Sequence, residues 1–164
     1  MTDLTEEQGV RDQLESRFPA VKDKVRIPRR RRIFVDVPSQ NIEEAFAYAV
    51  KELKFTLLCS ITGLDLGAQL GVIYHLAREK GAVLNLSTSV AKEHPVLNTV
   101  TEYFPAADAY ERELVDLLGF DVRGLTPGNR YPLPDGWPAN QYPLRKDWKA
   151  DMFEAAKKGE PNNG

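Results

Sequence analysis

The sequence contains few of the residues that hold metals and redox centres. Among its 164 residues there is one cysteine, Cys59, and there are two histidines, His75 and His94. A single cysteine excludes an internal disulfide framework, and it excludes an iron–sulfur cluster ligated by cysteines of this chain alone. The histidines lack carboxylate partners that the sequence places at metal-binding spacing. We therefore expect the chain to hold no cofactor and no metal of its own.

Other features that are missing exclude further classes of protein. No apolar run is long enough to span a bilayer, and the first residues do not form a signal-peptide pattern. The net charge of −2 argues against nucleic acid as the main partner. No glycine-rich loop of the nucleotide-binding kind is present. These absences predict a cytoplasmic chain that does not insert into a membrane.

Hydrophobic periodicity predicts an α+β domain. We expect helices at 3–18, 40–53 and 106–118, and strands at 22–27, 32–37, 55–62, 69–79 and 82–91. The strand at 55–62 is dense in apolar residues, which predicts a central, buried strand in which Cys59 is a small buried thiol. Runs of strands between helices are typical of two layers, with helices covering a mixed or mostly antiparallel sheet.

The composition divides the chain into three parts. Residues 1–120 carry the α+β pattern, residues 121–150 are proline-rich and lack periodicity, and residues 151–164 are polar. An extended segment as long as 121–150 is usually functional or bound to a partner, so we expect it to be a docking segment. The polar end is expected to be partly disordered.

The first two strands are expected to form a hairpin with a basic tip. Four consecutive arginines, Arg29 to Arg32, stand between the two strands. Such a run can contact nucleic acid or anionic lipid. In a mildly acidic chain, a solvated turn or a contact with an acidic neighbouring subunit is the favoured interpretation.

The helix at 106–118 has one apolar stripe and one charged face. At about 100° per residue, Asp108, Arg112 and Asp116 fall together, so Arg112 can pair with a carboxylate above and below it. On spacing alone, Glu111, Arg112, Glu113 and Asp116 are expected to form a solvated face with weak ion pairs. Gly119 follows the last apolar residue and is expected to cap the helix.

Two blocks of sequence carry a family resemblance. The run Pro105-Ala-Ala-x-x-Tyr-Glu-Arg-Glu-x-x-Asp-Leu-Leu-Gly-Phe120 is followed by Pro143-Leu-Arg-Lys-Asp-Trp148, and the likeness extends upstream through 55–65 and 72–76. Together they resemble the signature of the C subunit of proton-pumping NADH:quinone oxidoreductase, respiratory complex I. Energy-converting, membrane-bound NiFe hydrogenases carry a similar subunit.

The resemblance implies a function and a set of site residues. It implies a non-catalytic structural subunit of the peripheral arm, at the inner face of the cell membrane, that docks on the large catalytic subunit and touches neighbouring peripheral-arm subunits. The residues that it implies for partner binding are Arg130, Trp137, Tyr142, Arg145, Lys146, Asp147 and Trp148. Those of the family motif are Glu111, Arg112, Glu113, Asp116 and Gly119.

The chain also departs from the family pattern, which leaves alternatives open. A Gly-His-Pro sequence is usual after the helix, whereas residues 124–130 contain no histidine, and the run Tyr131–Pro138 resembles that of hydrogenase-associated members. The parent complex is therefore either respiratory complex I or a hydrogenase. A free-standing adaptor protein and an enzyme that uses Glu111, Glu113, Asp116 or His75 are further alternatives. Trp137 and Trp148 suit either an interface or contacts with the chain's own domain.

Overall fold

The computed structural model describes residues 4–153. The helices with both ends among the described residues are α1 (Thr5–Arg17), α2 (Ile42–Lys51) and α3 (Ala107–Leu118). The strands are β1 (Val25–Arg29), β2 (Arg32–Asp36), β3 (Leu57–Asp65), β4 (Gln69–Ala77), β5 (Val83–Ala91), β6 (Val96–Asn98) and β7 (Asp121–Arg123). Short 3₁₀ turns lie at Pro19–Val21, Ser39–Asn41 and Glu79–Gly81.

Five strands form one mixed sheet. Their order is β1-β2-β5-β4-β3, and β2 runs parallel to β5 while the other neighbours are antiparallel. The parallel pair follows from the crossover through α2, which returns the chain to the same end of the sheet. The prediction of an α+β domain with a mixed sheet covered by helices is confirmed.

The core lies between one face of the sheet and the helices. Alternation in β4 places Leu70, Val72, Tyr74 and Leu76 on that face, where each side chain is at most 4% exposed. Val10 and Leu14 of α1 and Phe46 of α2 belong to the same buried cluster. The Phe46 ring lies 5.1 Å from that of Tyr74 and 5.5 Å from that of Tyr103, so aromatic contacts join the sheet, α2 and the approach to α3.

The opposite face of the sheet carries His75 in a polar chain. Its Nε2 lies 2.9 Å from Thr62 Oγ1 and its Nδ1 lies 2.7 Å from Asn85 Oδ1. The amide nitrogen of Asn85 in turn donates to the Ile33 carbonyl at 2.9 Å. The ring is satisfied on both sides, which suits a structural residue and not an acid–base group.

The predicted central position of β3 is wrong, because among residues 4–153 β3 is an edge strand that pairs with β4 alone. Leu57 is 61% exposed, and Cys59 is exposed and not buried. A run of apolar residues predicts that a segment is a strand. It does not predict the place of that strand in the sheet, because the neighbouring strands come from distant segments of the chain. The predicted second helix also begins later, at Ile42, because residues 39–41 form a 3₁₀ turn.

A second, small sheet was not predicted from the sequence. β6 and β7 pair in parallel on either side of α3, joining Val96 to Asp121 and Asn98 to Arg123. Three-residue strands are too short to show a period of two. The first part of the predicted extended segment is therefore a strand, β7, which pairs the chain after α3 with the chain before it.

The arginine run lies at the tip of the β1–β2 hairpin, as the sequence predicts. Arg29, Arg30 and Arg31 are exposed, and Arg31 has a positive φ of 61°. The buried carboxylate of Glu7 on α1 accepts a hydrogen bond from the Arg31 N–H at 2.6 Å. Helix α1 thus fixes the hairpin turn through Glu7. Contact of the arginines with a neighbouring subunit stays a prediction.

Candidate docking surface on α3 and the segment that follows it

Helix α3 packs closely on the edge strand. Leu114 and Leu118 lie on β3 at Gly63, where an added Cβ would stand 2.6 Å and 2.3 Å from their side-chain methyl carbons. Only glycine permits this approach, since real side chains do not come so near. Gly119 ends the helix in the left-handed conformation, with φ 74°, and its N–H donates to the Val115 carbonyl. The predicted glycine cap is confirmed.

Glu111 is a buried brace and not part of a solvated face. Glu111 is 2% exposed, and its carboxylate accepts hydrogen bonds from the Val100 N–H at 2.7 Å and the Thr99 hydroxyl at 2.5 Å. Burial raises the pKa of this carboxyl, while the two hydrogen bonds oppose the rise. Glu111 therefore ties α3 to the loop that follows β6, and its predicted exposure is wrong.

Asp116 is buried as well, and it binds the segment beyond the helix. Residues 124–148, which we call the strap, run back along α3 and past its end. Asp116, 6% exposed, accepts from Arg130 Nε at 3.2 Å and from the Leu133 N–H at 3.2 Å. Arg130 also donates to the Trp137 carbonyl at 2.6 Å. The solvated role predicted for Asp116 is wrong, because its partners lie outside the helix.

Arg112 behaves partly as predicted. It makes a bidentate pair with Asp108, one turn away, at 2.7 Å and 2.9 Å. It does not pair with Asp116, which is occupied by Arg130. Its third contact, at 2.7 Å, goes to the Thr126 carbonyl of the strap. The guanidinium thus joins the exposed side of α3 to the start of the strap.

Arg145 closes the end of α3. Its Nε donates to the Leu118 carbonyl at 2.7 Å, its Nη2 lies 3.4 Å from the Gly119 carbonyl, and its guanidinium stacks 4.5 Å from the centre of the Tyr142 ring. The Leu144 N–H donates to the Leu117 carbonyl at 3.0 Å. Carbonyls at a helix end need partners, and a cation there also suits the helix dipole. This part of the strap therefore completes the helix.

A buried carboxylate on the sheet fixes the block 143–148. The Asp65 side chain is 2% exposed and accepts from Lys92 Nζ, the Gly67 N–H and the Lys146 N–H, each at 2.8 Å. Lys92 also reaches Asp147 at 2.9 Å. The hydrogen bond from Lys92 holds the pKa of Asp65 far below its usual range, against the effect of burial.

Asp65 and Lys92 were not predicted as site residues. Asp65 did stand in the stretch that resembles the family and between two glycines, which was a usable signal. Lys92 carried no signal, because nothing local distinguishes it from other surface lysines.

The two tryptophans hold the strap to itself. Their rings stack at 6.2 Å, and both indole N–H groups donate to Gln141, one to its carbonyl at 2.8 Å and one to its side chain at 2.9 Å. Trp137 also lies 4.6 Å from the Phe153 ring. These contacts give the strap a defined shape, and the predicted contacts of the tryptophans with a partner remain predictions.

One apolar side chain of the block points outwards. Leu144 is 57% exposed although its backbone is bonded to α3, and Tyr131 is 52% exposed. The Lys146 side chain next to Leu144 is exposed, whereas its N–H is held by Asp65. Arg145 and Asp147 are engaged within the chain. The structure thus presents a fixed loop with a leucine and a lysine on its outer side.

Metal-ligating clusters and membrane-spanning helices were two further features to look for among the described residues. Within 4–153 no group of three or more His, Cys, Asp or Glu side chains is arranged to hold a metal ion. In the same part of the chain, no helix is long and apolar enough to cross a membrane.

The structure thus defines a class of protein by its architecture, an α+β domain whose segment after α3 is bonded back onto that helix. Comparison with known proteins then gives the family. Residues 35–154 match the family described as respiratory-chain NADH dehydrogenase, 30 Kd subunit. The chain belongs to this family, which confirms the resemblance found in the sequence.

Relatives come from several redox complexes. The C subunit of NADH-quinone oxidoreductase from Salinispora tropica is 31% identical over 137 residues, which cover 78% of this chain and 56% of the relative. The membrane-bound hydrogenase subunit beta of Pyrococcus furiosus is 29% identical over 143 residues, covering 82% of each chain. The chain spans about half the length of the NADH-quinone oxidoreductase relatives, as the 56% and the 46% for Chloroherpeton thalassium show.

Solved structures share the fold. A chain of the membrane-bound sulfane sulfur reductase, described as an archaeal respiratory membrane complex, superposes with a TM-score of 0.78 at 24% identity and covers 97% of this chain and 95% of its own length. A trypsin-resistant fragment (1–134) of Nqo5 gives a TM-score of 0.62 at 24% identity, covering 75% of this chain and 99% of the fragment.

Proposed function

We propose that this chain is a non-catalytic structural subunit of the peripheral arm of a membrane-associated NADH:quinone oxidoreductase, and that it docks on the large catalytic subunit through the outer side of the strap. Family membership supports the first part, since the relatives are named as subunits. The single observation that carries the second part is Leu144, which is 57% exposed on a loop that the chain holds in place through the Leu144 and Lys146 N–H groups and through the side chains of Arg145 and Asp147.

The carboxylates of α3 favour a structural role over catalysis. Glu111 accepts from a backbone N–H and a hydroxyl, and Asp116 accepts from a guanidinium and a backbone N–H. A general acid or base must exchange protons with a substrate, and these two groups are occupied by hydrogen bonds that hold loops in place. His75 is occupied on both ring nitrogens.

The strap meets the physical requirement for a docking element. A loop that is already ordered loses little conformational entropy on binding, so more of the contact energy appears as affinity. Leu144 and Lys146 form the outer side of the block, and the rings of Tyr142, Trp137 and Trp148 are partly exposed beside it. Aromatic residues and arginines are the types that anchor interfaces.

In this proposal the charged residues of the block have two tasks. Arg145 and Asp147 hold the loop on α3 and on Lys92, and their remaining hydrogen-bonding capacity faces the partner. Arg130 shapes the strap from behind through Asp116.

A substitution of Leu144 tests the proposal. Leu144→Asp should change the free energy of unfolding of the free chain by no more than about 0.5 kcal/mol, because the Leu144 side chain is mostly in water. It should strongly weaken assembly with the large subunit, since a carboxylate would be buried against an apolar contact. Leu57→Asp is the matched control, as Leu57 is 61% exposed on a different face. Normal assembly of Leu144→Asp, measured by co-purification, would contradict the docking proposal.

A second candidate is the equivalent accessory subunit of an energy-converting NiFe hydrogenase. The run Tyr131–Pro138 resembles that of hydrogenase-associated members, and the Pyrococcus furiosus hydrogenase subunit matches over 82% of both chains. The native complex that contains this chain should be purified and assayed for NADH-dependent and hydrogen-dependent electron transfer. Hydrogen-dependent activity together with stoichiometric nickel would favour the hydrogenase, and NADH-dependent reduction of quinone would favour the oxidoreductase.

A further inference from the structure

A small pocket lies between α3, the edge strand and the strap. Its volume is about 220 Å³, and its apolar lining comes from the edge strand, from α3 and from the strap: Ile61, Leu114, Leu117, Leu118 and Leu144. Leu144 lines the pocket and is itself 57% exposed. The pocket therefore opens on the same side of the molecule as the proposed docking surface.

One carboxylate lines this apolar pocket. Glu113 is half-buried, and no hydrogen bond or ion pair joins its side chain to any residue within 4–153. The other charged residues named by the helix motif are all engaged: Glu111 with Thr99 and Val100, Arg112 with Asp108, and Asp116 with Arg130. The two arginines of the strap are engaged as well, Arg130 with Asp116 and Arg145 with the end of α3. Glu113 is thus the one charged residue of that motif set whose side chain forms no hydrogen bond or ion pair within the described residues.

Covering the pocket would remove the Glu113 carboxylate from water. In the free chain the open side lets water reach Glu113, so the charge is solvated. A partner that covers the exposed side of Leu144 also covers the pocket that this side chain lines. An ionised carboxylate enclosed by leucine and isoleucine side chains is strongly unfavourable unless a cation meets it. The partner must therefore bring a positive charge to this point.

We infer that this pocket receives a lysine or arginine side chain of the docking partner, whose aliphatic stem lies on Leu117 and Leu144 and whose charged end pairs with Glu113. This inference rests on the docking function proposed above. Lysine and arginine suit the lining because their stems cover apolar surface while the head group keeps a polar partner. A purely apolar side chain would fill the space but would leave the carboxylate unpaired.

The test uses the tagged chain and the complex to which it belongs. Glu113→Gln keeps the size of the side chain and removes its charge, so the unfolding midpoint of the free chain should not change. Affinity for the complex lacking this subunit should fall roughly 30-fold or more, as for the loss of one member of an enclosed charge pair. Glu113→Lys should abolish assembly. Glu15→Gln is the charge-matched control, because Glu15 is half-buried on α1, which packs on β1 and β2 and contributes no residue to the pocket; this variant should assemble normally.

A second measurement keeps Glu113 in place and identifies the residue that meets the pocket. A photo-crosslinking residue placed at position 144 of the otherwise unchanged chain should capture, in the assembled complex, a partner peptide that contains lysine or arginine. Exchanging that residue for glutamate should restore assembly to Glu113→Lys. A captured peptide without a basic residue, or a Glu113→Gln chain that assembles as tightly as the unchanged chain, overturns the inference. If Leu144→Asp still blocks assembly in that case, the docking function stands; if Leu144→Asp also assembles normally, the docking function falls as well.

Discussion

The strongest test of the structure compares two aspartates of α3 that the sequence pattern places on one face. Asp108 and Asp116 both pair with an arginine, but the Asp108 side chain is 42% exposed and the Asp116 side chain is 7% exposed. Asp108→Ala should cost less than about 1 kcal/mol, because an exposed ion pair contributes little. Asp116→Ala should cost more, since it also removes the acceptor of the Leu133 N–H.

The expected magnitude follows from what Asp116 leaves behind. Loss of a hydrogen bond to a charged group costs about 1.5–3 kcal/mol, and a stranded backbone N–H adds to the cost. The Arg130 side chain is 30% exposed, so water recovers part of its solvation. We therefore expect about 2–3 kcal/mol for Asp116→Ala, below the values for fully buried pairs. In a chain of this size that lowers the unfolding midpoint by roughly 4–12 °C.

Two assays report on different parts of this prediction. Thermal unfolding of the free chain gives the difference between the two variants, and limited trypsin digestion reports on the strap. Release of the strap should expose the bond after Arg130, so Asp116→Ala should be cut there faster than Asp108→Ala. Equal midpoints for the two variants would refute the assignment of Asp116 as a buried brace.

Two further predictions concern the packing of α3 and the contact of the strap with the sheet. Gly63→Ala should destabilise the chain by about 1–3 kcal/mol in denaturant unfolding, because the added Cβ would meet Leu114 and Leu118. Gly9→Ala is the control: this residue lies in α1 with nothing within 4 Å of an added Cβ, so the substitution should stabilise the chain by up to about 1 kcal/mol. If Gly9→Ala were the more destabilising of the two, the packing of α3 on β3 would be wrong. The pKa of Asp65 is lowered on folding, so its contribution to stability is present above its unfolded pKa of about 3.9 and is lost as the pH falls towards the lower folded value. Asp65→Asn should therefore flatten the acid side of the stability–pH curve, and an unchanged acid side would contradict the ion pair with Lys92.

The sequence predicts those parts of α3 that depend on local spacing. Its length, its apolar stripe at Leu114 and its cap at Gly119 all follow from periodicity and from the conformational freedom of glycine. The burial of Glu111 and Asp116 could not be predicted in this way. Their partners, Val100 and Arg130, lie 11 residues before and 14 residues after them, in segments without a repeating pattern.

Strand order is a second limit of local patterns. The apolar run at 55–62 correctly predicts a strand, but its position at the sheet edge depends on β2 pairing with β5, which leaves β3 with β4 as its only neighbour. The exposure of Leu57 and Cys59 follows from that pairing. The motif blocks of the sequence contain the residues of the proposed docking surface, whereas the pocket beside Glu113 depends on the packing of the strap, α3 and β3.

The arrangement of charges in the strap separates two kinds of residue that look alike in the sequence. Arg130 and Arg145 are committed to the chain, through Asp116 and the end of α3. Substituting either one should therefore lower stability and assembly together, because a partner binds a loop that must first be ordered. Leu144 and Glu113 have few or no internal bonds to lose, so their substitution should change assembly alone. A variant's position on these two measurements thus distinguishes a residue that shapes the docking loop from one that touches the partner.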